Sequence, residues 1–168
     1  VNESSPIVDA RIAKSGARIN VVLSPIALNG PILTIRRFPK EPITMEKLIN
    51  LEAINEDVAA FLKKAVQAKY NIIISGGTGS GKTTFLNALS QYIPSDERII
   101  TIEDSAELQI MGIENLIRLE TRNVMVEGGR SITIRDLIKT SLRMRPNRII
   151  VGEVRGEEAL LKVYYQPY

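Results

Sequence analysis

A glycine-rich segment lies between an apolar run and a run of helix-forming residues, and it has the spacing of a phosphate-binding loop. The pattern is Gly76-x-x-x-x-Gly81-Lys82-Thr83. Glycines let backbone N–H groups turn inward around phosphate oxygens, and the following helix points its positive N-terminal end at the same anion. The predicted nucleotide contacts come from Gly76, Gly77, Thr78, Gly79, Ser80, Gly81, Lys82, Thr83 and Thr84.

Two side chains of this loop have specific predicted roles. We expect the Lys82 ammonium to reach the β- and γ-phosphates of ATP and the Thr83 hydroxyl to ligate Mg²⁺. The alternative is a structural turn between a strand and a helix, but such a turn does not require Lys-Thr at this offset. The pattern predicts a strand over Ile72–Ile74 and a helix after the loop.

Two further apolar runs end in carboxylates. The run 98–102 is followed by Glu103 and Asp104, and the run 148–152 is followed by Glu153. Ligands of open α/β sheets lie at the carboxyl ends of strands, so we expect Glu103 to orient or activate the attacking water. Glu153 has the Walker-B-like position, and its length suits it to hold Mg²⁺ through water or to polarise the nucleophile. For each acid the alternative is a cap on a neighbouring helix.

Four arginines are candidates for stabilising charge on the transferring phosphoryl group, in the same subunit or across an interface. The sequence does not rank them, and an ordinary surface salt bridge is the alternative for each. They are Arg118, Arg122, Arg143 and Arg145.

Composition limits the chemistry of the 168-residue chain. With 44% hydrophobic and 24% charged residues it is typical of soluble globular proteins. It has no cysteine and no histidine, which excludes disulfides and thiolate metal sites and leaves acid–base chemistry to carboxylates, lysine, tyrosine or water. The net charge of +3 does not require a nucleic-acid partner. No apolar run reaches the roughly 20 residues of a membrane span, and no secretion signal is visible, so a cytoplasmic location is expected.

The order of patterns along the chain predicts an α/β protein. Strands are predicted over 18–23 and 31–38, with one covered face, and prolines at 39 and 42 mark a boundary. A short helix is predicted over 44–50, and Asn55 is a predicted N-cap for a longer helix with a stripe of Val58, Phe61, Leu62, Ala65 and Val66. A strand at 116–122 and a helix that begins after Thr133 follow, and a helical stretch is predicted from Gly156. The predicted domains are 1–40, a linker at 41–55, and 56–168.

The ordered motifs resemble the secretion ATPase superfamily that powers type II and type IV secretion and type IV pili. They are most similar to the CpaF-like ATPases of tight-adherence pili. The resemblance rests on the phosphate loop, Thr101-Ile102-Glu103-Asp104, Arg118-Leu119-Glu120-Thr121-Arg122, Leu142-Arg143-Met144-Arg145-Pro146, Val151-Gly152-Glu153-Val154-Arg155-Gly156, and the segments Gly16–Asn20 and Leu33–Phe38.

The resemblance implies a RecA-like P-loop core, incomplete here, preceded by part of a small α/β domain. It implies ATP and Mg²⁺ as ligands, a homohexamer in the full-length protein, and attachment to an inner-membrane secretion or pilus platform protein from the cytoplasmic side. It assigns Glu103 to the Asp box and Glu153 to Walker B. It also implies that Arg18 and either Arg36 or Arg37 approach the nucleotide phosphates.

The sequence also departs from that family. A histidine-containing strand and a helical domain follow Walker B in the family, whereas this chain ends 15 residues after Glu153 (168 minus 153). Asn147 stands where aspartate is common, and the tail 164–168 resembles nothing in the family. A fragment is expected, with its start inside the N-terminal domain. Besides an export motor, the open alternatives are an inactive nucleotide-binding fragment and a RecA-like nucleic-acid motor.

Overall fold

The computed structural model describes residues 2, 4–13, 15–39, 41–122 and 131–154. The chain divides into two compact units, residues 1–41 and residues 42–168. The segment 41–55, predicted as a linker, contains helix α1 (Met45–Asn50), in which Met45 is 2% exposed. The helical stretch predicted from Gly156 and the tail 164–168 lie outside the described residues.

Unit 1 contains a three-stranded antiparallel sheet. Its strands are β1 (Ile7–Arg11), β2 (Arg18–Val22) and β3 (Ile32–Arg36), and β2 lies in the middle. The strands at 18–22 and 32–36 confirm two predictions, whereas β1 was not predicted. Asp9 and Ala10 are poor strand formers, so the β1 sequence lacks a run of β-branched residues.

The prediction that one face of the unit 1 strands is covered is wrong for β3. All five β3 residues are exposed, including Leu33 and Ile35. Covering one side of a three-stranded sheet requires a helix or a second sheet, and the described residues of unit 1 form strands only.

Three helices of unit 2 begin after a side-chain N-cap, and two of these caps, Asn55 and Thr133, were predicted. Thr44, Asn55 and Thr133 each accept a backbone N–H bond at the start of a helix, and Thr133 forms a capping box with Asp136. The helices are α1, α2 (Glu56–Gln67), α3 (Lys82–Ser90) and α4 (Ile134–Ser141), and a 3₁₀ turn (Leu142–Met144) extends α4. Among the described residues, every helix is too short or too polar to cross a bilayer.

The buried stripe predicted for α2 is only partly correct. Ala65 and Val66 are buried, but Val58 is 43% and Phe61 is 66% exposed, and Ala59 is buried instead. The small Ala59 side chain allows close contact in the cluster with Met45 of α1 and Leu89 of α3. Packing against neighbouring helices therefore selected a different face from the one with the largest side chains.

A second, parallel sheet forms the core of unit 2. Its strands are β4 (Arg98–Glu103), β5 (Asn115–Glu120) and β6 (Arg148–Val151), in the order β5-β4-β6. Five of the six β4 residues are buried, as expected for a strand covered on both faces. The predicted strands at 98–102, 116–122 and 148–151 are therefore confirmed, with small differences at their ends.

The strand predicted before the phosphate loop is not part of this sheet. Ile72 and Ile74 pack against the helical cluster, whereas Ile73 is 79% exposed. This alternation is typical of extended backbone, but none of the strand pairings among the described residues includes 71–77. A ladder requires a neighbouring strand in hydrogen-bond register, and apolar residues alone do not provide one.

Two helices cover the two faces of the parallel sheet. Ile99 and Ile150 pack on one face with Leu86 of α3. Ile100, Ile102 and Val151 pack on the other face with Ile138 of α4. Alternate residues of a strand share a face, so Glu103 belongs to the α3 face with Ile99.

Candidate functional site

The backbone of the phosphate loop requires glycine at three positions. Gly79 and Gly81 have φ values of 76° and 86°, in the left-handed region that other residues disfavour. A Cβ atom at Gly76 would lie 2.6 Å from Ser80 Oγ, closer than such atoms approach. Any side chain at these positions would change the loop, so its shape follows directly from the glycine spacing.

Polar groups of the loop are arranged as a phosphate site would require. Lys82 Nζ donates to the Gly77 carbonyl at 2.7 Å, so its ammonium group contacts the backbone of the loop. Helix α3 begins at Lys82, and its N-cap Gly81 provides no side-chain acceptor. The N–H groups of the first turn can therefore point at a bound anion. Thr83 lies in this turn, as predicted.

Glu103 is a buried acid at the carboxyl end of β4. It is 3% exposed, and its Oε2 accepts backbone N–H bonds from Glu107 at 2.5 Å and from Leu108 at 2.8 Å. Among the described residues, no group donates a hydrogen bond to the other oxygen, Oε1, which is also buried. A carboxylate with one oxygen held and the other without a donor is oriented but not fully satisfied.

The surroundings of Glu103 raise the pKa of its carboxyl above the ordinary value of 4.5. Burial is the largest cause, because removal from water disfavours the charged form. The N–H groups of Glu107 and Leu108 and the Arg118 guanidinium lower the pKa, but they do not cancel the effect of burial. Such a carboxyl is better suited to accept a proton near neutral pH than an exposed one.

Arg118 is the one candidate arginine that the described structure brings to Glu103. Its Nη2 lies 4.0 Å from Glu103 Oε1 and donates to the Leu108 carbonyl at 2.9 Å. Arg118 pairs with Thr101 in the β4–β5 register, and its side chain is 50% exposed. It therefore connects a buried acid with solvent on the α3 side of the sheet.

Gly152 makes room for the Glu103 side chain. A Cβ atom at Gly152 would lie 2.9 Å from Glu103 Cγ. The Gly152 N–H donates to the Ile102 carbonyl at 2.8 Å, which extends the β4–β6 pairing by one residue. Glu153 follows directly, so it lies at the same carboxyl edge of the sheet as Glu103, and its side chain is partly buried.

A magnesium site formed only by protein acids is absent from the part of the chain that the structure describes, where no group of three or more Asp, Glu, His or Cys residues is close enough to hold a metal. Thr83 and Glu153, the two predicted ligands, would offer one hydroxyl and one carboxylate. Mg²⁺ in nucleotide sites takes its remaining oxygens from phosphates and water, so this small donor set fits the ion.

Arg143 and Arg145 lie away from Glu103. Both are exposed, and both come just before β6 in the chain. The first residues of β4 and β6 lie at this end of the sheet, where the Asn147 N–H donates to the Arg98 carbonyl at 2.8 Å. This is the amino edge of the sheet. A strand of six residues separates it from the carboxyl edge by about 17 Å.

The other predicted arginines belong to two different places. Arg122 forms an isolated bridge with Ile132 just beyond β5. In unit 1, Arg18 lies directly opposite Arg36 and opposite Arg11, so the three form a row on one side of the sheet. Arg37 follows β3 and lies outside this paired register. Of the two alternatives Arg36 and Arg37, only Arg36 lies in this row. The row also includes Arg11, which was not a candidate in the sequence analysis.

Two further residues at the site were not identified from the sequence. Asn87 of α3 is 8% exposed, and its Oδ1 accepts the Gln109 N–H at 2.9 Å. An asparagine in the middle of a helix is a weak signal by itself, because many such residues face solvent. Gly152 had a detectable signal, since a glycine that ends an apolar strand before an acid indicates a close approach.

Comparison with protein families gives a match over almost the whole chain. Residues 1–163 match the family described as "Type II/IV secretion system protein". An uncharacterized protein of Methanocaldococcus jannaschii is 47% identical over 167 residues, which cover 95% of this chain and 23% of that protein.

Two solved structures resemble the chain over most of its length. The VirB11 ATPase from the Brucella suis type IV secretion system, in complex with sulphate, is 31% identical with a TM-score of 0.54, over 94% of this chain and 51% of that one. The Legionella pneumophila ATPase DotB has a TM-score of 0.61 at 22% identity, over 95% of this chain and 44% of that one. The chain thus spans about half the length of these structures, and the DotB likeness concerns the fold.

Proposed function

Because the chain belongs to the Type II/IV secretion system protein family, within the secretion ATPase superfamily, we propose that it is the ATP-binding and ATP-hydrolysing motor domain of a secretion or pilus assembly system. The observation that supports this most strongly is that α3, which begins at the phosphate loop, packs on the face of the sheet that carries the buried acid Glu103. The helix that follows the glycine-rich loop and the oriented carboxylate thus lie on one side of one sheet, which supports the proposal.

The proposed binding step replaces contacts within the loop by contacts with phosphate. Lys82 leaves the Gly77 carbonyl and donates to the β- and γ-phosphates. The backbone N–H groups of the loop and of the first turn of α3 surround the same oxygens. Thr83 would hold Mg²⁺ directly and Glu153 directly or through water, and the ion would supply positive charge to offset the charge that develops on the phosphates.

The proposed hydrolytic step depends on Glu103. Its Oε2 is fixed by two backbone N–H groups, so Oε1 is the atom that accepts a hydrogen bond from the attacking water. As the water attacks the γ-phosphorus, its proton moves to the carboxylate or to a phosphate oxygen, and ADP leaves with its new charge near Lys82. The raised pKa makes Glu103 a stronger base than an exposed carboxylate.

We propose different roles for the arginines according to their positions. Arg118 acts in the same subunit, beside Glu103. Arg143 and Arg145 are at the opposite edge of the sheet, so any contact with phosphate would be made to the nucleotide of a neighbouring subunit. Arg18 and Arg36 lie opposite one another in the sheet of unit 1, and their contact with phosphate stays a prediction from the family resemblance.

The wider assembly is proposed from the family. A homohexamer on the cytoplasmic side of the inner membrane, attached through a platform protein, would couple hydrolysis to export. A CpaF-like role in tight-adherence pili stays a prediction from the sequence, as do the domain boundaries at 40 and 55.

The test is Mg-ATP hydrolysis by the chain over a range of protein concentrations, beside a Lys82→Ala control. We expect turnover per molecule to rise with concentration, since the site is completed across subunits, and to vanish in the control. Millimolar Mg-ATP should also raise the melting temperature of the parent but not of the control, because a ligand that binds only the native state stabilises it.

Other results would select among the alternatives. Thermal protection without turnover would indicate a nucleotide-binding protein that does not hydrolyse ATP by itself. Turnover that DNA stimulates, with a steep dependence on salt, would favour a nucleic-acid motor. Absence of protection would contradict nucleotide binding altogether.

A further inference from the structure

The segment 104–110 crosses the α3 face of the sheet, and side chains hold its backbone. Leu108 and Ile110 are buried in one cluster with Ile99 and Ile150. Three consecutive backbone N–H groups, those of residues 107–109, donate to side-chain oxygens. The position of this segment therefore depends on side chains that belong to other elements.

Asn87 supplies one of these oxygens from the helix that follows the phosphate loop. Its Oδ1 accepts the Gln109 N–H at 2.9 Å, and the residue is 8% exposed. Asn87 comes five residues after Lys82, which is about 7.5 Å along the helix axis. Loss of the acceptor would remove this hydrogen bond from a partly buried N–H group, which has an energetic cost.

Two other side chains, those of Arg118 and Glu103, bind the backbone of Leu108, the residue before Gln109. Arg118 donates to the Leu108 carbonyl at 2.9 Å, and Glu103 accepts the Leu108 N–H at 2.8 Å. The Leu108 carbonyl and the Gln109 N–H belong to one planar peptide group, so Arg118 and Asn87 hold opposite sides of a single rigid plane. Glu103 is bound to the peptide group immediately before it.

From this arrangement we propose that Asn87 is a positioning residue for Glu103, which it holds in place through the backbone of Leu108 and Gln109. The proposal rests on the proposed function, because it also gives Asn87 a role in coupling phosphate binding to the position of Glu103. When phosphates bind at the start of α3, a shift of the helix moves Asn87, the peptide plane and the Glu103 carboxylate together. Occupancy of the phosphate loop is thereby transmitted to the acid that orients the water.

The coupling follows from the stiffness of its parts. A helix moves as a unit over five residues, and a peptide group resists rotation about its C–N bond. The connection from Asn87 to Glu103 contains only two hydrogen bonds, separated by one residue of backbone. Leu108, at 2% exposure, prevents this backbone from swinging away.

The first part of the test measures amide hydrogen exchange in the ¹⁵N-labelled protein. Asn87→Leu keeps the side-chain size and removes the acceptor, whereas Asn87→Asp keeps an acceptor oxygen. We expect exchange at Leu108 and Gln109 to rise about tenfold in N87L relative to other amides of unit 2, and to return to within about threefold of the parent in N87D. Should N87L fail to fold, N87A is measured with the same expectation.

Ser90→Ala is the matched control. Ser90 is buried in the same helix, but its hydroxyl donates to the Asn87 carbonyl within the helix and makes no bond to 107–109. We expect S90A to leave exchange at Leu108 and Gln109 unchanged. Equal protection of these amides in N87L and the parent would overturn the positioning role, as would an equal loss in S90A.

The second part measures chemical-shift changes on addition of Mg-ADP. In the parent, we expect shifts at the amides of 79–83 and also at Leu108 and Gln109; in N87L the first set stays and the second falls at least threefold. Full shifts at Leu108 in N87L would overturn the coupling. Absence of shifts at 79–83 in the parent would instead contradict nucleotide binding and hence the coupling, while the exchange rates would still decide the positioning role.

Discussion

Two buried glutamates lie at the two ends of strand β4, and their surroundings are opposite in character. Glu97, just before the strand, receives two hydrogen bonds from Arg148, one to each carboxylate oxygen, and Lys69 Nζ lies 3.7 Å from its Oε1. Glu103, the last residue of the strand, has one oxygen bonded to two N–H groups and the other without a donor among the described residues.

The pKa values of the two acids shift in opposite directions, as their surroundings would suggest. The hydrogen bonds from Arg148 hold the pKa of Glu97 below its ordinary value, whereas burial raises the pKa of Glu103. Arg148 also donates to the Val66 carbonyl, so the ion pair connects α2 with the amino ends of β4 and β6. At the amino edge both oxygens of the Glu97 carboxylate are thus paired, whereas at the carboxyl edge one oxygen of Glu103 is left without a donor among the described residues.

This difference separates stability from chemistry within one sheet. A bidentate arginine pair in which both carboxylate oxygens accept hydrogen bonds stabilises the connection between elements and leaves neither oxygen free for a substrate. A buried carboxylate oxygen without a donor is unfavourable for folding, and such groups persist where they bind or react. The comparison predicts that changes at the carboxyl edge affect turnover, and changes at the amino edge affect unfolding.

Glu103→Gln should have the largest effect. Glutamine keeps the shape but accepts no proton, so we expect the rate of phosphate release to fall roughly 10²- to 10³-fold, the usual contribution of a positioned base. Nucleotide affinity should change less than about threefold. The control is Glu114→Gln, at an exposed acid of the same unit. A parent-like rate in E103Q would contradict the prediction that the carboxyl edge of the sheet controls turnover.

Arg148→Met should reduce the free energy of unfolding by about 3 kcal/mol, because it leaves the buried Glu97 charge without its main partner. Urea unfolding measures this, with Arg135→Met, at an exposed position of α4, as the control. Nucleotide affinity of the folded R148M protein should match the parent. A loss below about 0.5 kcal/mol would show that the ion pair does not stabilise the amino edge.

The stabilising effect that R148M removes should also depend on pH. The pKa of Glu97 is lowered in the folded state, so its stabilising contribution is present above the ordinary value of 4.5 and is lost as pH falls through the lowered folded value. The difference in unfolding free energy between parent and R148M should therefore shrink on acidification, as Glu97 becomes protonated first in the variant and then, at its lowered pKa, in the parent. A difference that grows on acidification would contradict the assignment.

Arg118→Met should have an intermediate effect, near tenfold on turnover at neutral pH. The guanidinium lowers the pKa of Glu103, so its removal raises that pKa further and moves the acid limb of the pH–rate profile to higher pH. Arg143→Met, at the opposite edge, should leave the acid limb in place. A shift to lower pH in R118M would mean that Arg118 does not act on Glu103.

The smallest predicted effect is a gain of stability in E103Q. The pKa of Glu103 is raised on folding, so ionisation disfavours the folded state above the ordinary pKa. Near pH 8 the variant should melt roughly 2 °C higher than the parent, and this gain should disappear as pH falls below 4.5. The melting temperature by circular dichroism measures it; a variant that melts lower at pH 8 would contradict the origin of the shift.

Features that depend on neighbouring residues were predictable from the sequence. The glycine spacing of the phosphate loop, the N-caps at Asn55 and Thr133, and the buried run of β4 were each predicted from a few consecutive residues. The backbone conformations and first hydrogen bonds of these elements involve partners within about five positions, so no information about the rest of the chain was needed.

The tertiary structure decided which of these elements meet. Arg118 and Arg143 had equal standing in the sequence, and only the order β5-β4-β6 and its register place Arg118 beside Glu103 and Arg143 at the other edge. The bond from Asn87 to Gln109 spans 22 residues and has no local signature. The sequence determined the chemical groups of this protein; strand pairing and packing, which act between distant residues, determined which of them share a site.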